Sequence, residues 1–522
     1  MTRSARETGL AATWTYPIRA REFRPPGRSP RRGQDERLAA HPPDVGLKDL
    51  TPRPPHHRGD PGLPELVRKL AQPGCLLCRE AAEAEERFFL WYLAESYLFP
   101  ESLDHMIRAH GFCSPHTQAF LEDGIPSTIA YVYRFLAASA LDAVETVEGP
   151  RAHGRELRYR IAALFPTASC LVCVRQNAHL TYVEQLLARL LRDRKVRPEL
   201  PPSLAVCLPH LRALAPFLDQ HALQLLATGL RECLAAADPR ATRSWTWGTP
   251  PPPTPATPEI CVADEHSTTL DAVRKVLATP GCAVCRAEAV AVGQYIAWLE
   301  REIHTAPNAT WHSGLALCPS HGWQFARSAA EDAVTQLAVA VRLFWTERLA
   351  ELAEALTAAP RGGLGRRWAF VRATIERRHG SRREAFLTAA AEALRSQRRT
   401  ARTNADRAFR CAPCPVCQAA ETARERTLSL ITASLGDPGV QQAYNAGDGV
   451  CWRHLPGAVT RARSSEAALI LHTARVRLSV LNWELEEYLR KQSWDTRHEA
   501  RGPEGGAWQR AARLLSGVDQ AP

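Results

Sequence analysis

Apolar side chains return every third or fourth residue over most of the chain. Phe89, Leu93 and Tyr97 make one stripe, and Val183, Leu186, Leu187 and Leu190 a second. Ile296, Leu299 and Ile303 make a third, and Leu428, Ile431 and Leu435 a fourth. Two further stripes, Ile129/Val132/Leu136 and Val334/Leu337/Val341, follow the first and the third. This is the period of a helix that buries one face. No run alternates with the period of a strand, so the expected fold class is all-α. Packing between helices is sufficient reason for every stripe, and none reads as a cofactor box.

Ordered cysteines punctuate this pattern. Four CxxC pairs (Cys75/Cys78, Cys170/Cys173, Cys282/Cys285, Cys414/Cys417) alternate with four CxxH pairs (Cys113/His116, Cys207/His210, Cys318/His321, Cys451/His454). The gaps between each CxxC and the next CxxH are 34, 33, 32 and 33 residues. Chance would supply roughly half a pair of each kind in a chain with this much Cys. At the fourth pair, Cys411-Ala412-Pro413-Cys414-Pro415-Val416-Cys417 leaves two registers, and the 33-residue gap selects Cys414/Cys417. Cys233, Cys261 and Cys411 are left over and read as small buried hydrophobes.

Three thiolates and one imidazole are the donor set of a closed tetrahedral zinc site, with no position left for water or substrate. The expected cofactor is therefore Zn²⁺, about four ions per chain, in a structural role. Cys3His can also hold an iron–sulfur cluster, which is the alternative. A gap of ~33 residues accommodates two helical arms of about 15 residues, roughly 22 Å each. An outgoing and a returning arm would bring each CxxH back beside the CxxC before it. The expected units are thus tandem metal-closed helical hairpins, with Cys75, Cys78, Cys113 and His116 on one metal, and so on along the chain.

Composition divides the chain. Residues 1–60 hold nine Pro and eleven Arg without sustained periodicity and read as a disordered basic arm. Residues 248–262 contain Pro250-Pro251-Pro252-Pro253 and two further Pro, and read as a stiff spacer. On either side lie two pairs of units, residues 61–247 and 263–516. The halves look duplicated: Leu66-Val67-Arg68-Lys69-Leu70 before Pro73-Gly74-Cys75 resembles Ala272-Val273-Arg274-Lys275-Val276 before Pro280-Gly281-Cys282. Residue 79 and its counterparts (Arg79, Val174, Arg286, Gln418) are not the Gly of a β zinc knuckle.

Charge changes the picture little. The net charge is +11, and 61 of the 66 basic residues are Arg, a bias expected of GC-rich coding. Fourteen of those Arg, against four acids, fall in an insertion at residues 361–410. That stretch could meet nucleic acid, but a solvated helical face is the favoured reading. No apolar run reaches 18 residues and no secretion signal opens the chain, so a cytoplasmic protein without a membrane span is expected. Fifteen Cys then point to thiolate chemistry in a reducing compartment.

The segments Pro280-Gly281-Cys282-Ala283-Val284-Cys285 and Gly314-Leu315-Ala316-Leu317-Cys318-Pro319-Ser320-His321-Gly322-Trp323 resemble a bacterial family of Chloroflexi type with repeated CPxC…GLCxxHxW motifs, a domain of unknown function. Pro503–Ala511 resembles that family's C-terminal helix. The resemblance spans residues 62–516 and implies a fold without implying an activity. No GxxxxGK[ST], GxSxG or HExxH motif occurs, and no nucleophile–base–orienter set can be assembled, so no enzymatic activity is expected. The expected function is a zinc-stabilised helical scaffold that binds a macromolecule, most simply a protein. The alternative is a thiol- or metal-based redox or metal-responsive protein.

Overall fold

The computed structural model describes residues 63–94, 96–148, 160–192, 200, 204–248, 270–305, 317–358, 409 and 413–517. The basic arm 1–60, the spacer beyond Gly248, Cys261, Cys411 and the Arg-rich insertion apart from Phe409 lie outside the described residues. Every regular element among the described residues is helical. No single described helix is long and apolar enough to cross a membrane.

In the first half the helices are α1 (Leu63–Leu70), α2 (Leu76–Ala94), α3 (Pro100–Arg108), α4 (Ser114–Asp123), α5 (Pro126–Glu148), α6 (Leu171–Arg192), α7 (Leu208–Leu214), α8 (Gln220–Ala236) and α9 (Pro239–Trp247). In the second they are α10 (Leu270–Ala278), α11 (Ala283–Thr305), α12 (Pro319–Ser328), α13 (Glu331–Ala358), α14 (Pro415–Ser434), α15 (Pro438–Ala446), α16 (Leu455–Arg461), α17 (Ser464–Arg490) and α18 (Ala507–Ala511). A π-turn at Ala512–Ser516 continues α18.

The stripes read from the sequence face inward. Phe89, Val183, Leu187, Leu190, Ile296, Leu299, Ile303, Leu428, Ile431 and Leu435 are all buried. They fall into two cores, and each core draws on both halves of the chain. One contains Phe89, Ile129 and Val144 from the first half with Leu428, Ile470 and Leu481 from the second. The other contains Leu187, Leu226 and Leu230 with Ile296, Leu337 and Leu349. Helix α5 packs along α17 in the first core, and α8 along α13 in the second. Exchanging the halves maps one pairing onto the other, so the chain is built as a pseudo-two-fold duplicate.

The duplication extends to single guanidinium groups. Arg79 donates through Nη1 to the carbonyls of Pro73 (2.7 Å) and Gly74 (3.1 Å) and through Nη2 to that of Lys69. Arg286 donates in the same way to Pro280 (2.6 Å), Gly281 and Val276. Each Arg ties the exposed carbonyl end of α1 or α10 to the loop that leads into a CxxC, satisfying groups that a helix terminus leaves open. This is why Arg, not Gly, follows the second Cys of units one and three.

Candidate metal centres

Each motif sits where a helix begins. Cys113, Cys207 and Cys318 are the residues capping α4, α7 and α12, with nearly identical backbone angles (φ −65 to −68°, ψ 161 to 163°). Pro in the first two positions of those helices needs no amide partner there. The His three residues on then projects from the same turn as the Cys. The CxxC pairs are arranged alike at the starts of α2, α6, α11 and α14. Helix starts carry partial positive charge, which favours thiolate over thiol.

The sixteen motif residues gather into four quartets, each within 4.8 Å, but not in the order expected from the sequence. Centre I is Cys75, Cys78, Cys207 and His210; centre II is Cys113, His116, Cys170 and Cys173. Centre III is Cys282, Cys285, Cys451 and His454; centre IV is Cys318, His321, Cys414 and Cys417. The hairpin closure expected above is therefore corrected. A CxxC meets the CxxH of the neighbouring unit, and the exchange occurs identically in both halves.

Helix lengths explain the correction. Helix α2 has nineteen residues, about 28 Å, whereas the returning α3 has nine, about 13 Å. The return therefore stops well short of the start of α2. Helices α2 and α6 instead pack antiparallel: His179 Nε2 lies 2.9 Å from Glu80, and Arg175 lies 3.9 Å over the Trp91 ring. Each CxxC then faces the middle of its partner helix, where the other unit's CxxH arrives. Helices α11 and α14 repeat the arrangement, with Arg424 beside Glu288 at 3.6 Å.

Within the quartets the ligand atoms lie close to one another. In centre I, Cys78 Sγ is 3.5 Å from Cys207 Sγ and 3.4 Å from His210 Nδ1. In centre II, Cys113 Sγ is 3.7 Å from Cys173 Sγ and 3.1 Å from His116 Nδ1. In centre III, Cys285 Sγ lies 3.7 Å from Cys451 Sγ and 3.5 Å from His454 Nδ1. In centre IV, Cys417 Sγ lies 3.7 Å from Cys318 Sγ and 3.3 Å from His321 Nδ1. Nδ1 is the inward atom of every imidazole, which leaves Nε2 to face outward. His116 Nε2 is 3.7 Å from Glu85, and His454 Nε2 is 3.4 Å from Glu288. Glu184 stands in electrostatic attraction to His210.

Electrostatics suit a cation at each centre. Burial disfavours imidazolium, yet the surrounding sulfurs raise His116 and His210 to about 10, and sulfurs together with Glu288 raise His454 to about 11. Hydrogen bonds from Cys207 and Cys75 draw the Cys78 thiol far down, those from Cys113 and Cys173 do so for Cys170, and Cys318 brings Cys414 to about 3. In each quartet one sulfur is drawn towards thiolate, while its neighbours, among them Cys207, Cys173, Cys285 and Cys318, are pushed up by hydrogen bonds within the quartet and by that charge. One negative sulfur thus faces the imidazole where a divalent ion would let all three ionise. The donor types, edges and charge fit one tetrahedral ion per quartet.

The closing glycines of the two halves cover centres I and III. Gly248 and Gly517 take left-handed φ of +80° and +70°. A Cβ at Gly248 would lie 3.4 Å from Cys78 Sγ, and one at Gly517 would lie 2.9 Å from Cys285 Sγ. The residues before them differ. Trp247 fills the space against Gly322 and Trp323, whereas Ser516 leaves a cleft of about 640 Å³ lined by Cys113, Cys170, His110, Trp452 and His454.

Glu85, Glu184, Glu288, Gly248 and Gly517 escaped the sequence reading, since nothing marks a carboxylate mid-helix until its partner helix is known. Cys233 belongs to none of the quartets. No family model, curated protein or solved structure matches the chain.

Proposed function

We propose that the chain is a non-enzymatic scaffold stapled by four structural Zn²⁺ ions, one in each quartet. The observation that carries this is the edge length. The sulfur–sulfur edges quoted above are 3.5–3.7 Å, the sulfur–nitrogen edges are a little shorter at 3.1–3.5 Å, and no two ligand atoms of a quartet lie more than 4.8 Å apart. Zn–S bonds of about 2.3 Å and Zn–N bonds of about 2.0 Å around a tetrahedron require edges of roughly 3.5–3.8 Å. An iron–sulfur cluster places bridging sulfides and a second iron between some of its thiolates and would spread them further. Four protein donors on one ion leave no open coordination position, which favours a structural over a catalytic role.

Each ion would join two helix starts from different units, so metal binding and folding are coupled. Glu85 and Glu288 would orient their imidazoles from outside, as carboxylates do in many zinc sites.

A protein is the partner we favour. Val476, Val480 and Trp483, spaced four and three residues apart on α17, are 48%, 52% and 60% exposed. A contiguous apolar stripe of this kind is the usual mark of an interaction surface. Elemental analysis and Co²⁺ substitution test the metal assignment. Four zinc per chain, and the visible bands of tetrahedral Co²⁺–thiolate, support it. Iron with acid-labile sulfide contradicts it.

A further inference from the structure

The four centres are shielded unequally. Cys75, Cys78 and Cys207 of centre I are buried, as are Cys282, Cys451 and His454 of centre III. Left-handed glycine backbone lies against the sulfurs of both. In centre IV only Cys414 is buried, Cys318 and His321 are half-buried, and Cys417 is exposed. Cys417 nonetheless stands at ligand distance from both Cys318 and His321. A second difference lies outside the quartet. Glu85, Glu184 and Glu288 attend the imidazoles of centres II, I and III, whereas no carboxylate among the described residues pairs with His321.

We propose that centre IV is the exchangeable metal centre of this protein, with Cys417 as the thiolate through which its ion is lost or replaced. The proposal rests on the zinc reading above and adds to it a division of labour: three ions hold the fold and the fourth answers to the surroundings. Metal leaves a closed tetrahedral thiolate site when an incoming donor reaches the metal, or when an electrophile reaches a bound sulfur. At centres I and III the glycine backbone occupies the approach. Cys113 and Cys170 of centre II line the cleft described above, but no ligand of that centre is exposed, whereas at centre IV Cys417 is the one exposed ligand of the sixteen. Among the described residues the imidazole there also has no carboxylate partner, the kind of contact whose loss typically weakens zinc binding by about 10–100-fold. The class of agent that would act is thiophilic: a soft metal cation, a competing thiolate chelator or a carbon electrophile. With a maleimide, the Cys417 sulfur forms a bond to one vinyl carbon, the other takes a proton from water, and the zinc–sulfur bond breaks.

The test uses the full chain loaded with zinc. Its metal content is first counted, then excess 4-(2-pyridylazo)resorcinol is added and release is followed by absorbance, with and without limiting N-ethylmaleimide. Sites of alkylation are located by mass spectrometry. The expected result is one zinc released about ten-fold or more faster than the other three, with Cys417 the first of the twelve quartet cysteines alkylated. Cys417→Ser should abolish the fast phase, and Cys233→Ser should keep it. Four ions leaving in a single phase, a fast phase that survives in Cys417→Ser, or first alkylation at another centre would overturn the proposal. The alkylation map on the unmutated chain decides the matter even if Cys417→Ser folds poorly. An initial count without four zinc refutes the zinc reading instead, which keeps the two failures distinct.

Discussion

Cys78 Sγ lies 3.5 Å from Cys207 Sγ, although 129 positions separate the two residues. The CxxH nearest to Cys78 in the chain, Cys113/His116, serves centre II instead. Each quartet therefore ties two units together and closes none of them alone. The consequences can be measured.

The outer carboxylates should tune their own centre and no other. Glu85→Gln and Glu288→Gln keep shape but remove the charge facing His116 and His454. Each is expected to weaken zinc at its own centre by about 10–100-fold. Titration with a chelator of graded affinity should show one of four ions weakened in each variant and two in the double variant.

Gly322 is a contact position. A Cβ there would come within 2.4 Å of the Trp247 ring, which also packs edge-on against Trp323 at 6.1 Å. Gly322→Ala should therefore cost about 1–3 kcal/mol through overpacking while leaving four ions bound. Combining it with Trp247→Ala should cost less than the sum of the two single changes, because the clash disappears with the ring. Chemical denaturation of the four proteins checks this.

His110 gives a pH dependence with a defined sign. Burial lowers its imidazole from 6.5 to about 4, and its ring lies 5.2 Å from that of Trp452. The unfolded chain takes up the proton near pH 6.5, before the folded one does. Stability is thus full above that value and falls as pH drops from about 6.5 towards 4. The site is partly open to solvent, so the loss is on the order of 1–2 kcal/mol. His110 also holds a left-handed φ of 56°, which Asn tolerates. His110→Asn in excess zinc should fold and lose that part of the slope. An unchanged slope between pH 7 and 5.5 would exclude His110 as its source.

The helical stripes and all sixteen quartet residues were legible in the sequence because both are local. Ile296, Leu299 and Ile303 repeat at helical spacing, and two residues between ligands suit one helix turn. Pairing was not legible, because it depends on the unequal lengths of α2 and α3 and on α2 lying antiparallel to α6. A 34-residue gap is long enough for a full return, but the chain spends nearly half of it on the outgoing helix. The same dependence hid Glu85, which lies seven residues beyond Cys78 and acquires a role only where α6 begins. Gly248 read as the start of a spacer, and its place over Cys78 follows from how α9 packs.

The crossed pairing is tested most directly by counting bound zinc in two double variants. In Cys78→Ser/Cys207→Ser both changes fall in centre I, whereas in Cys78→Ser/Cys113→Ser they fall in centres I and II. Crossed pairing predicts loss of one ion from the first variant and two from the second. If each metal closed its own hairpin, the counts would be reversed, with two ions lost from Cys78→Ser/Cys207→Ser and one from Cys78→Ser/Cys113→Ser. That reversal would contradict the account.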